Sequence, residues 1–299
     1  MNTFFDSVNS RGIEISELEP LKNHTTFRIG GEAKYFASPK DESEIIFLLK
    51  EAEKYNERVF ILGNGSNMLI SDNGFDGLVI YIGENMSDIV FLDDNTIKVQ
   101  AGALLLKVCR EALSHSLSGM EKLYGIPGSV GGCLYMNAGA YGSEMKDVVI
   151  SAEYIDDKYN ICCAEADTLG LSYRHSIFSE IKGVITSVTF RLSGGDKNEI
   201  KTVMDEFLQK RKDKQPLEYP SAGSTFKRPE GYFAGALIEQ CGLKGKSVGG
   251  AQVSEKHAGF IINKGNATQK DVSSLIDFCR ETVFKETGVL LEPEIRCFE

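Results

Sequence analysis

Two glycine-rich segments are the strongest candidates for ligand binding in this chain of 299 residues. The first, GNGSN at residues 63–67, follows the apolar run Val59–Leu62, and the second extends from Tyr124 to Gly142. Glycine leaves backbone N–H groups uncovered, so such turns can approach a pyrophosphate closely. Apolar residues such as Val130 and Leu134 interleave with the glycines of the second segment, which indicates burial rather than a mobile connector. Together the segments predict a large dinucleotide cofactor.

Neither segment matches the common nucleotide-binding fingerprints. The G-x-G-x-x-G motif would need glycine at position 68, where Met68 stands. Elsewhere in the chain, GKS at 245–247 looks like the end of a Walker A loop. That motif requires glycine at position 240, where Gln240 stands. No histidine lies in H-E-x-x-H, which disfavours the usual zinc peptidase template.

The charge balance limits the partners that the chain can bind. It has 33 basic and 43 acidic residues, a net charge of −10, which disfavours a broad electrostatic grip on nucleic acid or anionic lipid. No apolar run reaches the roughly 18 residues of a membrane helix, no secretory signal is present, and the seven cysteines form no C-x-x-C pair. We expect a cytoplasmic protein with reduced thiols, no metal site and no obligate protein partner.

The elements that must position the two segments alternate between helix and strand. Asp41–Asn56 is predicted as a capped helix, since Ile45, Leu48 and Ala52 share one face. Other helices are predicted over 103–117, 198–212 and 268–286, and strands over 59–62, 78–82, 148–155, 183–192 and 289–298, with two short strands between 89 and 101. The pattern predicts an α+β fold. We expect a cofactor-binding domain at 1–195, with subdomains of about 1–82 and 83–195, and a second domain at 196–299.

Seven motifs occur in a fixed order along the chain. They are NHTTFRIGG (23–31), LGNGSNMLI (62–70), YGIPGSVGGCLYMNAGAYG (124–142), YRHSIF (173–178), AGSTFKRP (222–229), HAGFIIN (257–263) and LEPEIR (291–296). Over roughly residues 20–298 the chain thereby resembles the UDP-N-acetylenolpyruvoylglucosamine reductase family, in the short subclass without the extra tyrosine-bearing loop. The resemblance implies non-covalently bound FAD, NADPH as co-substrate, and the FAD-binding fold of vanillyl-alcohol-oxidase (PCMH) type, followed by a substrate-binding domain.

The resemblance also implies which residues hold the cofactor. They are Gly63, Asn64, Gly65, Ser66, Asn67, Gly128, Ser129, Gly132, Asn137, Gly139 and Arg211.

The family reaction implies three catalytic roles. Hydride is added to the enolpyruvyl carbon β to the carboxylate, and the charge that develops on the carboxylate must be stabilised before the α carbon is protonated. A permanent, bidentate cation suits the carboxylate, and Arg174 stands at that motif position. Glu294, if protonated, would donate a hydrogen bond to the developing charge, and Ser224 would supply the proton. His175 follows Arg174 where relatives commonly carry aspartate.

The substrate implied by the resemblance is a UDP-sugar enolpyruvyl ether, which is anionic at both its pyrophosphate and its carboxylate. Basic residues should therefore converge on it despite the acidic composition of the chain. Expected substrate contacts are Lys214, Lys227, Arg228, His257 and Asn263. Two other functions stay open: an FAD-dependent carbohydrate or alcohol oxidase of the same fold, and a non-catalytic nucleotide-sugar binder.

Overall fold

The computed structural model describes residues 3–298. These residues form two compact units, each assembled from separate parts of the chain. Unit 1 comprises residues up to Glu17, Tyr35–Asn64 and Gly77–Lys210, and unit 2 comprises Leu18–Lys34, Gly65–Asp76 and the chain from Arg211 onward. The domain boundary near residue 195 stays a prediction.

Helices and strands alternate along both units, as the sequence predicts. The helices are α1 (Phe4–Ser10), α2 (Glu42–Tyr55), α3 (Leu105–Ser114), α4 (Val130–Tyr135), α5 (Lys197–Lys214), α6 (Ala234–Gln240) and α7 (Gln269–Thr287). The strands are β1 (Glu14–Pro20), β2 (Glu32–Ser38), β3 (Val59–Leu62), β4 (Met68–Ile70), β5 (Phe75–Tyr81), β6 (Ile89–Phe91), β7 (Thr96–Gln100), β8 (Leu117–Ser118), β9 (Gly139–Ala140), β10 (Ser143–Glu144), β11 (Val149–Ile155), β12 (Ile161–Glu165), β13 (Val184–Arg191), β14 (Ser193–Gly194), β15 (Ser247–Val248), β16 (Ala251–Val253), β17 (Ile261–Asn263) and β18 (Arg296–Phe298).

The first sheet has the strand order β1-β2-β5-β3, with β3 parallel to β5. Helix α2 precedes β3 and begins where predicted, because the Asp41 carboxylate accepts a hydrogen bond from the Glu44 N–H at 2.9 Å. Leu48 is fully buried on the predicted apolar face. The helix ends at Asn56, whose left-handed backbone (φ 56°) stops it one residue beyond Tyr55. The helix prediction is confirmed.

The second sheet of unit 1 is antiparallel and has the order β12-β11-β13-β7-β6. Its central strand, β13, is buried along almost its whole length, with Val188 and Phe190 fully enclosed. Strands β11 and β13 confirm the prediction of strands over 148–155 and 183–192 to within one residue at each end.

The second glycine-rich segment is more ordered than the long loop that we predicted. Ser129 Oγ accepts a hydrogen bond from the Gly132 N–H, and the segment then forms the short helix α4. Val130 and Leu134 are fully buried, which confirms the prediction that the segment is not a mobile connector.

Unit 2 contains the three-stranded sheet β15-β16-β17, helix α7 and the parallel pair β18-β4. Helix α7 begins with a reciprocal capping box between Thr268 and Asp271 and ends at Gly288, which has a left-handed φ of 73°. Cys279 lies on the buried face of this helix, and its burial raises the pKa of the thiol to about 12.

The closing strand is shorter than predicted. A strand was expected over 289–298, but regular pairing is confined to β18. Pro293 has no N–H to donate to a ladder, so this stretch pairs through isolated backbone contacts with residues 225–227. Leu291 and Ile295 are nevertheless buried in the core of unit 2.

Among residues 3–298, no helix is both long enough and apolar enough to cross a membrane.

Replacement of Ile155 by alanine should lower the free energy of unfolding by about 2–4 kcal/mol, because a fully buried side chain is lost from the sheet of unit 1. Ile161 is its cross-strand partner on the edge strand β12 and is 58% exposed. Ile161→Ala is therefore the matched control and should cost less than about 1 kcal/mol. Urea titrations followed by circular dichroism measure both values, and equal losses would contradict this assignment of the core.

Candidate active site

In unit 1 the start of the first glycine-rich turn lies against the second segment. A Cβ placed on Gly63 would collide with the hydroxyl oxygen of Ser129, so the backbone approaches that side chain more closely than any other residue type would allow. The Asn64 side-chain amide donates a hydrogen bond to the Pro127 carbonyl. Gly63, Asn64, Gly128 and Ser129 are thus brought together as the sequence predicts.

The Asn137 side chain connects the second segment to the turn that carries Arg174. It is fully buried, and its Nδ2 donates to the Ser172 carbonyl at 2.9 Å and to the Glu144 carboxylate at 3.1 Å. Its Oδ1 accepts from the Lys146 N–H at 2.9 Å. Since the amide is occupied by these partners, Asn137 fixes the loop geometry from inside.

Arg174 lies in a tight turn and is half-buried. Its φ of 56° places it in the left-handed region, which is uncommon for a residue with a Cβ. The neighbouring backbone closes the turn through reciprocal hydrogen bonds between Ser172 and His175, at 3.2 and 3.1 Å. The guanidinium lies 5.1 Å from the centre of the Tyr173 ring. These hydrogen bonds fix the backbone from which the Arg174 side chain extends.

In unit 2, the remainder of the GNGSN turn packs on the segment that begins with Asn23. Gly65 has a φ of 57°, and a Cβ there would collide with the His24 carbonyl and come within 2.9 Å of Thr25 Cα. Asn67 donates its side-chain amide to the Glu294 carbonyl at 3.1 Å, and its own carbonyl accepts from the Arg296 N–H at 3.0 Å. Asn67 therefore connects this turn to the segment that carries the predicted catalytic carboxyl.

Ser224 and Glu294 lie on neighbouring backbone segments of unit 2. The Glu294 N–H donates to the Thr225 carbonyl at 2.8 Å. Gly223, just before Ser224, has a left-handed φ of 77° with open space around it, so the chain turns directly before Ser224. Both predicted catalytic side chains of this unit are half-buried. The structure thus brings together the backbone segments that carry the predicted proton donor and the predicted carboxyl.

Thr225 is the positioning residue that sequence reasoning missed. It is buried; its N–H donates to the Gly259 carbonyl at 2.8 Å, and its hydroxyl oxygen accepts from the Ile261 N–H at 3.0 Å. Together with the bond from Glu294, these contacts hold three segments around Ser224. The only sequence signal for Thr225 is its position inside the AGSTF motif. No spacing relative to other polar residues distinguishes it from an ordinary threonine.

The predicted substrate contacts of unit 2 occupy different environments. Asn263 is buried, and its amide is used by backbone groups of Phe27, Gly265 and Ala267. Lys227 forms an ion pair with Glu292. Both side chains already have partners within the protein. A role for either residue in binding substrate stays a prediction.

The other predicted contacts of unit 2 are more varied in exposure. Lys214 is exposed at the end of α5, whereas Arg211, one turn earlier, is buried. The Arg228 guanidinium lies 4.1 Å from the centre of the exposed Phe233 ring. His257 accepts a hydrogen bond from the Gly259 N–H at its Nδ1, and burial lowers the pKa of its imidazole. A neutral His257 could still use its second ring nitrogen in binding.

Two family models match the chain. One, described as FAD binding domain, covers residues 33–160, and the other, described as UDP-N-acetylenolpyruvoylglucosamine reductase, C-terminal domain, covers residues 215–298. A protein of Agathobacter rectalis named UDP-N-acetylenolpyruvoylglucosamine reductase is 51% identical over 98% of both chains. The chain belongs to the UDP-N-acetylenolpyruvoylglucosamine reductase family.

Two further relatives are similar over nearly their full length. The reductase of the same name from Caldanaerobacter subterraneus is 49% identical, covering 93% of this chain and 91% of its own. A crystal structure of UDP-N-acetylenolpyruvylglucosamine reductase from Thermus caldophilus superimposes with a TM-score of 0.81 at 35% identity, over 96% of this chain and 99% of its own. The predicted family, the α+β fold of FAD-binding type and the enzyme class are confirmed for this UDP-N-acetylenolpyruvoylglucosamine reductase family member.

The residues of this reductase family member fit FAD, the cofactor that the family and the matched FAD-binding model imply. Gly63 and Gly65 provide bare backbone where a Cβ would collide. The turn 63–67 and the stretch 127–133 contain no carboxylate, so no like charge opposes a pyrophosphate. The prediction of FAD is confirmed, whereas the individual cofactor contacts stay predictions.

Replacement of Gly65 by alanine should lower both the flavin content and the stability of the purified reductase. The new Cβ meets backbone atoms that cannot rotate away, in addition to the strain of a left-handed alanine, and we expect a loss of about 2–4 kcal/mol. Gly242→Ala is the matched control, because Gly242 has a similar φ of 68° but nothing within 4 Å of the added Cβ. The ratio of visible flavin absorbance to protein absorbance, and thermal unfolding, are the measurements. Equal behaviour of the two variants would refute close packing at Gly65.

Proposed function

We propose that this protein is the FAD-dependent reductase that converts UDP-N-acetylglucosamine enolpyruvate to UDP-N-acetylmuramate, with NADPH as co-substrate, in the synthesis of peptidoglycan precursors. The observation that carries the proposal is the hydrogen bond from the Glu294 N–H to the Thr225 carbonyl, which places the segments of Ser224 and Glu294 side by side inside the region that matches the C-terminal domain of this family. We place the protein in the cytoplasm, where NADPH and reduced thiols are found.

The cofactor contacts proposed in unit 1 are Gly63, Asn64, Gly128, Ser129, Gly132, Asn137 and Gly139, and those in unit 2 are Gly65, Ser66, Asn67 and Arg211. Bound FAD would supply the hydride that is added to the double bond. The bare backbone of the glycines and the neutral side chains between them would bind the anionic pyrophosphate through N–H and hydroxyl donors. Asn137, whose buried side chain is already hydrogen-bonded on both sides, would contribute by fixing the loop.

Arg174 binds the carboxylate of the enolpyruvyl group. Its charge is permanent and its guanidinium can form two parallel hydrogen bonds with a carboxylate. When hydride is added at the β carbon, negative charge moves onto the carboxylate oxygens, and a cation already in place stabilises that charge without reorganisation. The tight turn from Ser172 to His175 supplies this pre-organisation.

Ser224 donates the proton to the α carbon. A serine hydroxyl is a weak acid, but a carbanion-like carbon is strongly basic, so a donor held in line suffices. Glu294, in its protonated form, donates a hydrogen bond to the developing charge. The left-handed Gly223 and the buried Thr225 on either side of Ser224 fix the direction of its side chain.

Substrate recognition in unit 2 is assigned to Lys214, Lys227, Arg228, His257 and Asn263. The basic members offset the negative charge of the UDP group in a chain whose net charge is −10. Lys227 already has a carboxylate partner in Glu292, which keeps its ammonium group in a defined place until the substrate competes for it.

The reaction itself is tested by stoichiometry in the absence of oxygen. One NADPH should be oxidised for each enolpyruvyl ether consumed, and mass spectrometry should show a product that has gained two hydrogen atoms. An oxidase of the same fold would instead require oxygen and form peroxide, and a non-catalytic binder would consume no NADPH. Either result would contradict the proposed reaction.

Ser224→Ala should separate the two halves of the catalytic cycle. Reduction of the flavin by NADPH should keep its rate, whereas the subsequent reaction with the enolpyruvyl substrate should slow by about 10²–10⁴-fold, because the proton donor is missing. Stopped-flow absorbance measures each half separately. Ser221→Ala, three residues earlier, is the control and should leave both rates unchanged. If Ser224→Ala slowed both halves equally, the assigned role of Ser224 would be wrong.

A further inference from the structure

His175, which directly follows Arg174, is held at both of its ring nitrogens. Nδ1 lies 3.0 Å from the Gly170 carbonyl oxygen, and Nε2 lies 2.8 Å from Glu180 Oε1. A carbonyl oxygen can only accept a hydrogen bond, and an ionised carboxylate likewise only accepts. A neutral imidazole carries one N–H, so it satisfies one of these acceptors; an imidazolium carries two and satisfies both.

The two acceptors that bind the His175 ring come from chain segments before and after the turn. Gly170 comes before the turn at 172–175 and Glu180 comes after it. The backbone of His175 is itself bonded to Ser172 in both directions, so the ring and the backbone together close the loop on which Arg174 lies. Arg174 requires such support, because its left-handed φ of 56° is a conformation that a residue with a Cβ adopts only at a cost.

The inner side of the turn is fixed by different groups. Ser176 is fully buried and donates its hydroxyl to the Tyr135 carbonyl at 2.7 Å, and the Ser172 carbonyl accepts from Asn137. These bonds do not titrate. The outer side depends on His175, whose side chain is 37% exposed, and on Glu180, whose side chain is 69% exposed.

We propose that His175, as an imidazolium bridging Gly170 and Glu180, is a positioning residue that holds Arg174 for binding of the substrate carboxylate. This inference rests on the proposed function, since it assigns a purpose to the position of Arg174. His175 does not itself contact the carboxylate; it acts through the turn.

The charges around the ring favour the imidazolium. The bond to the Gly170 carbonyl and then the bond to Glu180 raise the pKa of His175 above its ordinary value. Arg174 adds a like charge next to it in the chain, and Glu180 offsets that charge. Of the two 3₁₀ turns that flank the loop, Ala166–Thr168 contributes Asp167 and Ile177–Ser179 contributes no charged group.

A defined pH dependence follows from the raised pKa. The bridge is complete at pH values below the ordinary pKa of histidine and is lost as the pH rises through the raised pKa in the folded protein. Binding of the enolpyruvyl substrate should therefore weaken as the pH rises through this raised pKa, an alkaline limb that reduction by NADPH, in which Arg174 has no assigned role, should not show.

The test compares the FAD-loaded wild type with His175→Gln and Glu180→Gln by stopped-flow absorbance from acidic to alkaline pH. Both variants should raise the substrate concentration needed for half-maximal reoxidation by about two- to tenfold, the effect of one exposed charge-assisted hydrogen bond. They should also abolish the alkaline limb and leave the NADPH step unchanged. His115→Gln, an exposed histidine elsewhere in unit 1, is the control and should retain wild-type behaviour.

A second measurement does not depend on catalysis. Nitrogen-15 NMR of the four histidines, with His175 assigned through the His175→Gln variant, should show that His175 keeps both ring nitrogens protonated to a higher pH in the wild type than in Glu180→Gln. The same titration of His175 in both proteins would overturn the proposal, as would variants that keep the wild-type substrate dependence and alkaline limb. Failure of the wild type to react with the enolpyruvyl substrate would instead overturn the proposed function, and the NMR result would still decide whether the bridge exists.

Discussion

The hydrogen bonds around Thr225 are the constraint on which the chemistry of unit 2 depends. The carbonyl of this one buried residue accepts from the Glu294 backbone, its N–H reaches Gly259, and its hydroxyl satisfies Ile261. Loss of any of these bonds would leave a polar group unpaired in a closely packed region, at a cost of about 1–3 kcal/mol. These bonds also fix the backbone of the neighbouring Ser224 relative to the Glu294 segment, although Ser224 does not make them itself.

In unit 1 the buried side-chain amide of Asn137 connects chain segments in a similar way. Asn137 occupies its carbonyl and amino groups with three partners outside the glycine-rich segment, namely the Ser172 carbonyl, the Glu144 carboxylate and the Lys146 N–H. The turn around Arg174 is therefore fixed from inside by groups that do not titrate and from outside by His175. The arginine keeps its charge at every physiological pH, so any titration in this region changes its position rather than its charge.

Local signals in the sequence predicted the local elements. Helix α2 follows from its capping residue Asp41 and from its apolar spacing, both of which act within a few residues, and helix α7 begins at the predicted position with a cap from Thr268. The closing strand was predicted too long because periodicity was read through Pro293, whose missing N–H only matters once the pairing partner is known. The glycine-rich turn 63–67 was recognised as a close approach, and the structure adds what it approaches: Ser129 for Gly63 and His24 for Gly65.

Roles that arise from long-range contacts could not be read from the sequence. The Thr225 hydroxyl is paired with a backbone group 36 residues away and the Asn263 amino group with one 236 residues away, and neither residue shows a spacing that would reveal its partner. The left-handed φ of Arg174 could not be predicted either, because glycine or asparagine is the usual sequence signal for that conformation. The family motifs supplied the candidate residues, and the structure supplied the reasons why they are held.

The most direct test of the account is a two-step absorbance measurement on the wild-type protein without oxygen. NADPH should first bleach the visible flavin absorbance, and addition of UDP-N-acetylglucosamine enolpyruvate alone should then restore it, because Arg174, Ser224 and Glu294 are present to complete the reduction of the double bond. If the absorbance returned only after oxygen was admitted, the protein would not be the proposed reductase, and the roles assigned to these three residues would fail with it.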